Sequence, residues 1–131
     1  MGTDIHMHAE IKIGEFWEHY SILEIGRDYD LFSKLAGVRG NDYDIAIAPD
    51  RGLPDDVSMV TAISRKTWGK DAHSCSYITS EEFMELFKRV SNKHHFYKNF
   101  LFGNLYMDFF SEAGIFPEEL EDFRFVFWFD S

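Results

Sequence analysis

Asp4, His6, His8 and Glu10 recur at every second position between Asp4 and Ile13. Side chains alternate across a strand, so a strand here gathers these four groups on one face. Ile5, Met7, Ala9 and Ile11 then share the other. Carboxylates and imidazoles are costly to cover unless they are paired, solvated or bound to a ligand. Asp71 and His73 repeat the same residue types further along the chain. His and carboxylate groups suit general acid–base chemistry, and with an open coordination position they suit metal-assisted hydrolysis. The plain alternative is a solvated sheet face of ion pairs. Two His and two acids in a row are unusual there, which tilts the reading toward a site. The spacing matches no zinc signature such as His-Glu-x-x-His, so a divalent metal is not favoured.

A second set is basic. Arg27, Arg39 and Arg51 each stand beside a glycine, in Gly26-Arg27, Arg39-Gly40 and Arg51-Gly52. Arginine forks bind carboxylate or phosphate bidentately, and glycine lets backbone approach a ligand. Nearby acids such as Asp28, Asp50, Asp55 and Asp56 are the alternative partners. A third set, Trp68 to Ser76, offers the hydroxyls of Ser74 and Ser76 and the thiol of Cys75. No nucleophile-elbow motif surrounds them, so Cys75 reads as a small packed residue. His19 and the pair His94-His95 carry no assignment.

These groups need elements to hold them. Residues 3–13 read as a strand, Gly14-Glu15 as a turn, and Phe16 to Ile25 as the returning strand of a hairpin. Leu31, Phe32 and Leu35 have helical spacing in a short helix from Tyr29 to Ala36, ended by Gly37. A long irregular segment runs from Val38 to Pro54, and loops of that length are often functional. A short helix runs from about Asp56–Ser58 toward Trp68. Thr79-Ser-Glu-Glu82 is a capping box, followed by Phe83, Leu86, Phe87 and Val90 on one helical stripe. Residues 94–116 are aromatic and fit no single element. Phe123 to Phe129 is nearly continuous in apolar residues, as expected of a central strand buried on both faces. The expected fold is α+β: a small, mainly antiparallel sheet with an N-terminal hairpin and a central C-terminal strand, packed by two to four helices.

The chain of 131 residues, 45% hydrophobic with 14 Phe, suits one domain with an aromatic core. A formal charge of −10 disfavours binding to duplex nucleic acid, because phosphate repels such a surface. A single cysteine allows no internal disulfide, and no leader or membrane span is evident. These features point to a soluble cytoplasmic protein, monomeric or a small homo-oligomer.

Short segments spread over nearly the whole chain carry a resemblance. They are Gly2-Thr-Asp-Ile-His6, Arg27-Asp-Tyr29, Leu35-Ala-Gly-Val-Arg39, Arg51-Gly-Leu-Pro54, Asp71-Ala-His-Ser74 and Val126-Phe-Trp-Phe-Asp130. Together they resemble a largely uncharacterised family of small phage and prophage proteins that open Gly-Cys-Asp-Ile-His, with Thr3 in place of the usual Cys. The resemblance implies phage origin and action in a bacterial cytoplasm, in the company of proteins that counter host defence. It brings no established activity.

The expected site is therefore a pocket of His6, Glu10 and His73 as acid–base groups, with Asp4, Arg27, Arg39, Arg51, Asp71 and Ser74 binding the ligand. That ligand is an anionic small molecule, phosphorylated or nucleotide-like, which the protein sequesters or hydrolyses. Two alternatives stand beside this reading. One is a non-catalytic acidic inhibitor that masks a host defence protein. The other is a metal-dependent hydrolase using Asp4, His6 and His73.

Overall fold

A computed structural model describes residues 2–40, 45–97, 99–100 and 122–131. The expected α+β architecture is present, built on one four-stranded sheet in the order β2-β1-β4-β3 with every neighbouring pair antiparallel. β1 (Asp4–Ile13) and β2 (Phe16–Leu23) form the N-terminal hairpin, and Gly14 takes the positive φ of 63° that its tight turn requires. β2 stops two residues short of the expected Ile25. β3 (Ala72–Thr79) was not evident in the sequence, because its polar start hides the strand pattern. β4 (Asp122–Asp130) lies between β1 and β3, so the expected central strand is central.

Alternation sorts the sheet into two unlike faces. Ile5, Met7, Ala9 and Ile11 of β1 pack with Phe125, Phe127 and Phe129 of β4 in the aromatic core. Helix α1 (Tyr29–Ala36) adds Leu31, Phe32 and Leu35 to this core, and α3 (Ser80–Arg89) adds Phe83 and Leu86. Asp28 caps α1 by accepting from the Leu31 amide, while Gly37 closes it in the left-handed conformation. Thr79 and Glu82 form the expected reciprocal capping box of α3. The short α4 (Lys93–Tyr97) brings Phe96 against Phe83 and Phe87. Residues 101–116, part of the aromatic stretch that fitted no element, lie outside the described residues.

The opposite face carries Asp4, His6, His8 and Glu10, with Arg124, Val126, Trp128 and Asp130 beside them on β4. It is not a solvated face. Helix α2 (Met59–Trp68) contacts it at both ends, through Ser58 just before the helix and through Trp68 at its close. The amphipathy of α2 is inverted. Thr61 is fully buried on its inner side, while Met59, Val60 and Ile63 are exposed by 76%, 53% and 59%. A polar layer thus lies between the sheet and α2, and the apolar layer lies on the far side of the sheet.

Candidate functional site

The polar layer changes character along β1. At the far end, Glu10 is directly opposite Arg124 and is completely buried. Arg124 donates to Glu10 Oε1 through Nε at 3.0 Å and Nη2 at 2.8 Å, and to Asp56 Oδ1 through Nη1 at 2.7 Å. The guanidinium also lies 4.1 Å from the Trp17 ring centre. The backbone N–H of Ser58 donates to the other Glu10 oxygen at 3.0 Å. Burial alone would raise the Glu10 pKa, but the bonds from Ser58, Arg124 and Thr61 outweigh it and hold the carboxyl below its usual range. This end fastens α2 to the sheet. Glu10 was expected to act as a base; with both oxygens engaged and no exposure, it cannot meet a ligand from solvent.

His8 follows in the middle of the layer. Its Nδ1 lies 3.0 Å from His19 Nε2, and its ring stacks on Trp128 at 5.1 Å. Burial, reinforced by the nearby His19, lowers the His8 pKa to about 4, so the ring is neutral at physiological pH. The indole nitrogen of Trp128 and the Ser21 hydroxyl are buried with no partner among the described residues.

The near end is open. His6 Nε2 is bonded to the Asp130 carboxylate, and the His6 ring packs against Trp68 with centres 4.1 Å apart and planes tilted by 36°. Two residues back, Asp4 accepts from Arg27 Nε at 2.8 Å and Nη2 at 3.2 Å. Gly2 permits this placement, because a Cβ there would lie 1.9 Å from Arg27 Nη1. Arg39 lies over the Tyr29 ring at 4.6 Å, on a backbone with φ of 62°. The Tyr29 oxygen accepts from the Thr3 amide at 3.2 Å. That bond, and then the charges of Arg39 and Arg27, hold the phenol pKa below its ordinary value. An open groove of about 560 Å³ runs from Asp4 and His6 past Ile22, Glu24 and Ile25.

His73 belongs to the same end of the sheet but not to the same face. It pairs with Phe129, whose side chain enters the apolar core, whereas His6 pairs with Trp128 on the α2 side. His73 Nε2 lies 2.9 Å from Ser131 Oγ, which is 3.0 Å from Thr3 Oγ1, and His73 Nδ1 is 3.0 Å from Ser74 Oγ. The expected convergence of His73 on His6 therefore does not occur, since one-residue alternation on β4 separates them. Asp71 ends a short 3-10 turn, exposed and bonded to neither histidine. Arg51 stands elsewhere. Its fork is bidentate on Glu82 at 2.7 and 2.6 Å, and it also donates to the Ile47 and Tyr77 carbonyls. These bonds fasten the 47–51 segment to β3 and α3, so Arg51 is a structural clamp and not a wall of the expected pocket.

The structure thus brings together Asp4, His6 and Arg27, while Arg39 joins this end of the sheet through Tyr29, and His73 with its bonded Ser74 lies on the other face. Sequence reasoning missed Asp130, Trp68 and Tyr29, although each lies in or beside a motif already singled out. Among the described residues no three His, Cys, Asp or Glu side chains stand where they could hold one metal ion. Burial pushes the Cys75 thiol pKa up, in keeping with a packed residue rather than a nucleophile. No helix among the described residues is long and apolar enough to cross a membrane. No protein-family model matches the chain, and no curated protein or solved structure does either.

Proposed function

We propose that the near end of the sheet binds a small phosphorylated anion, and that the protein is a phage-type factor acting in the bacterial cytoplasm. The observation that carries this reading is the pair of guanidinium groups flanking Tyr29 in a chain of net charge −10. Among the described residues Arg39 has no carboxylate partner. Arg27 has one, but the side chains of Arg27 and Asp4 are 54% and 48% exposed. Solvent screens an exposed ion pair and leaves it weak, so a phosphate can displace Asp4 from the arginine fork.

The neighbouring imidazole supplies chemistry. With Nε2–H donated to Asp130, His6 Nδ1 carries the lone pair and acts as a general base. Water oxygen attacks phosphorus, its proton passes to Nδ1, and the ester P–O bond breaks toward the leaving oxygen, which is reprotonated from solvent. Sequestration is the outcome when no water is aligned. The test is mass spectrometry of small molecules released from protein purified out of a bacterial host, with calorimetry using inorganic phosphate and pyrophosphate. A phosphorylated molecule released from the wild type and absent from Arg39→Ala supports the reading. No released anion, together with no binding of either phosphate, ends it.

A masking inhibitor is the second reading, favoured by Glu15, Glu18 and Glu24. All three are exposed on or beside the outer strand β2, with no ion pair among the described residues. Such an edge suits a basic host defence protein. Retention of that protein by wild type but not by a Glu15, Glu18 and Glu24 to Lys variant would favour it over the anion site.

A further inference from the structure

We infer that the anion bound at this end is a nucleoside phosphate whose base stacks on Trp68, an inference that rests on the anion-site reading above. The lining is too mixed for phosphate alone. Trp68 is 36% exposed, and its ring centre lies 4.1 Å from that of His6, which lines the groove, so the indole stands beside the groove at the strand end. Ile22 is exposed in the same groove, and Ile25 lies beyond it. A planar, weakly polar ring is the ligand part that gains from an indole and two isoleucines.

The polar groups in and beside the groove suit the rest of such a molecule. Glu24 is exposed in the groove with no ion pair among the described residues, and a carboxylate there would repel a bare phosphate. It suits the paired hydroxyls of a ribose, which carboxylates accept well. His6 and Asp4 are two residues apart on one strand face, roughly 6.7 Å along the chain, and Arg27 continues the row beyond Asp4. Trp68 lies against His6 and Arg27 is bonded to Asp4, and His6 and Asp4 both line the groove, so an aromatic ring and a cation flank it. The groove volume of about 560 Å³ falls within the ~300–1,000 Å³ usual for small-molecule sites.

The four common nucleoside 5′-monophosphates, ribose 5-phosphate and inorganic phosphate are titrated into the full chain, followed by calorimetry and tryptophan fluorescence. At least one nucleotide is expected to bind about ten-fold or more tighter than ribose 5-phosphate and to quench emission. Trp68→Ala should remove that preference, while Trp68→Phe keeps most of it and controls for folding. Ribose 5-phosphate binding as tightly as every nucleotide, or Trp68→Ala retaining the preference, overturns the nucleoside inference and leaves the phosphate site standing. If inorganic phosphate and all the nucleotides fail to bind, the phosphate site and the nucleoside inference fall together.

Discussion

Glu10 and Arg124 stand opposite each other in the β1–β4 register, 114 residues apart in the chain, and their side chains form a buried ion pair. Two Arg124 nitrogens bond one Glu10 oxygen, and the Ser58 amide holds the other. Removing Arg124 leaves the buried Glu10 carboxylate with no counter-charge, which typically costs about 3–5 kcal/mol, whereas removing Glu10 leaves Arg124 paired with Asp56. Arg124→Ala should therefore lower stability by that order in urea unfolding, and Glu10→Ala by less. The double change Glu10→Leu/Arg124→Met should cost less than Arg124→Ala alone, because no buried charge remains. A double variant less stable than both singles would mean the pair is worth more than its desolvation.

His8 gives the molecule an acid-side sensitivity above that of its carboxylates. Its folded pKa of about 4 lies below the unfolded value of 6.5, so between these limits the unfolded chain binds more protons. Stability from the neutral ring is fully present above pH 6.5 and is lost as pH falls toward 4. The loss is on the order of 3 kcal/mol for a shift of this size. His19, also lowered by burial, acts in the same direction. Denaturant midpoints measured from pH 7 to pH 4 should fall steeply in wild type and less so in His8→Gln. Parallel profiles for the two proteins would show that the buried imidazole is not the source.

Much of this was legible in local spacing and the rest was not, for a definite reason. The strict alternation from Asp4 to Ile11 determines which residues share a face, and the capping box at Thr79 and Glu82 determines where α3 starts. Neither pattern names a cross-strand partner. Arg124 for Glu10 and Asp130 for His6 depend on the β1–β4 register, which joins residues more than a hundred positions apart. His73 shows the same limit, since its residue type matched His6 while the alternation of β4 placed it on the other face. The cover over the polar face was hidden too. Met59, Val60 and Ile63 give α2 an apolar side, and nothing local says that this side points outward.

The arginines separate into two kinds, and that separation is measurable. Arg51 holds four acceptors on three segments and its side chain is only 30% exposed, so Arg51→Ala should cost about 1–3 kcal/mol and leave anion affinity unchanged. Arg39 is exposed and lies on Tyr29, so Arg39→Ala should change stability by about 0.5 kcal/mol or less. It should weaken phosphate binding about ten-fold, as expected for loss of a charged donor. Calorimetry and thermal melts on both variants decide this. Weakened binding in Arg51→Ala with unchanged melting would restore Arg51 to the site and remove its structural role.

The inverted helix makes a prediction opposite to ordinary expectation for hydrophobic and hydroxyl side chains. Thr61 is fully buried, receives a bond from the Ser58 hydroxyl at 3.0 Å, and helps to hold the Glu10 carboxylate. Thr61→Ala strips that support from a buried charge and should cost about 1–3 kcal/mol. Ile63 is larger and apolar but more than half exposed, so Ile63→Ala should cost about 0.5 kcal/mol or less. Met59→Ala and Val60→Ala should behave like Ile63→Ala, because their side chains meet water on the same outer side. Urea unfolding of the four single variants at one protein concentration gives the ranking. If Ile63→Ala proves more costly than Thr61→Ala, the outer side of α2 is covered in solution, and the polar layer is not what holds the helix to the sheet.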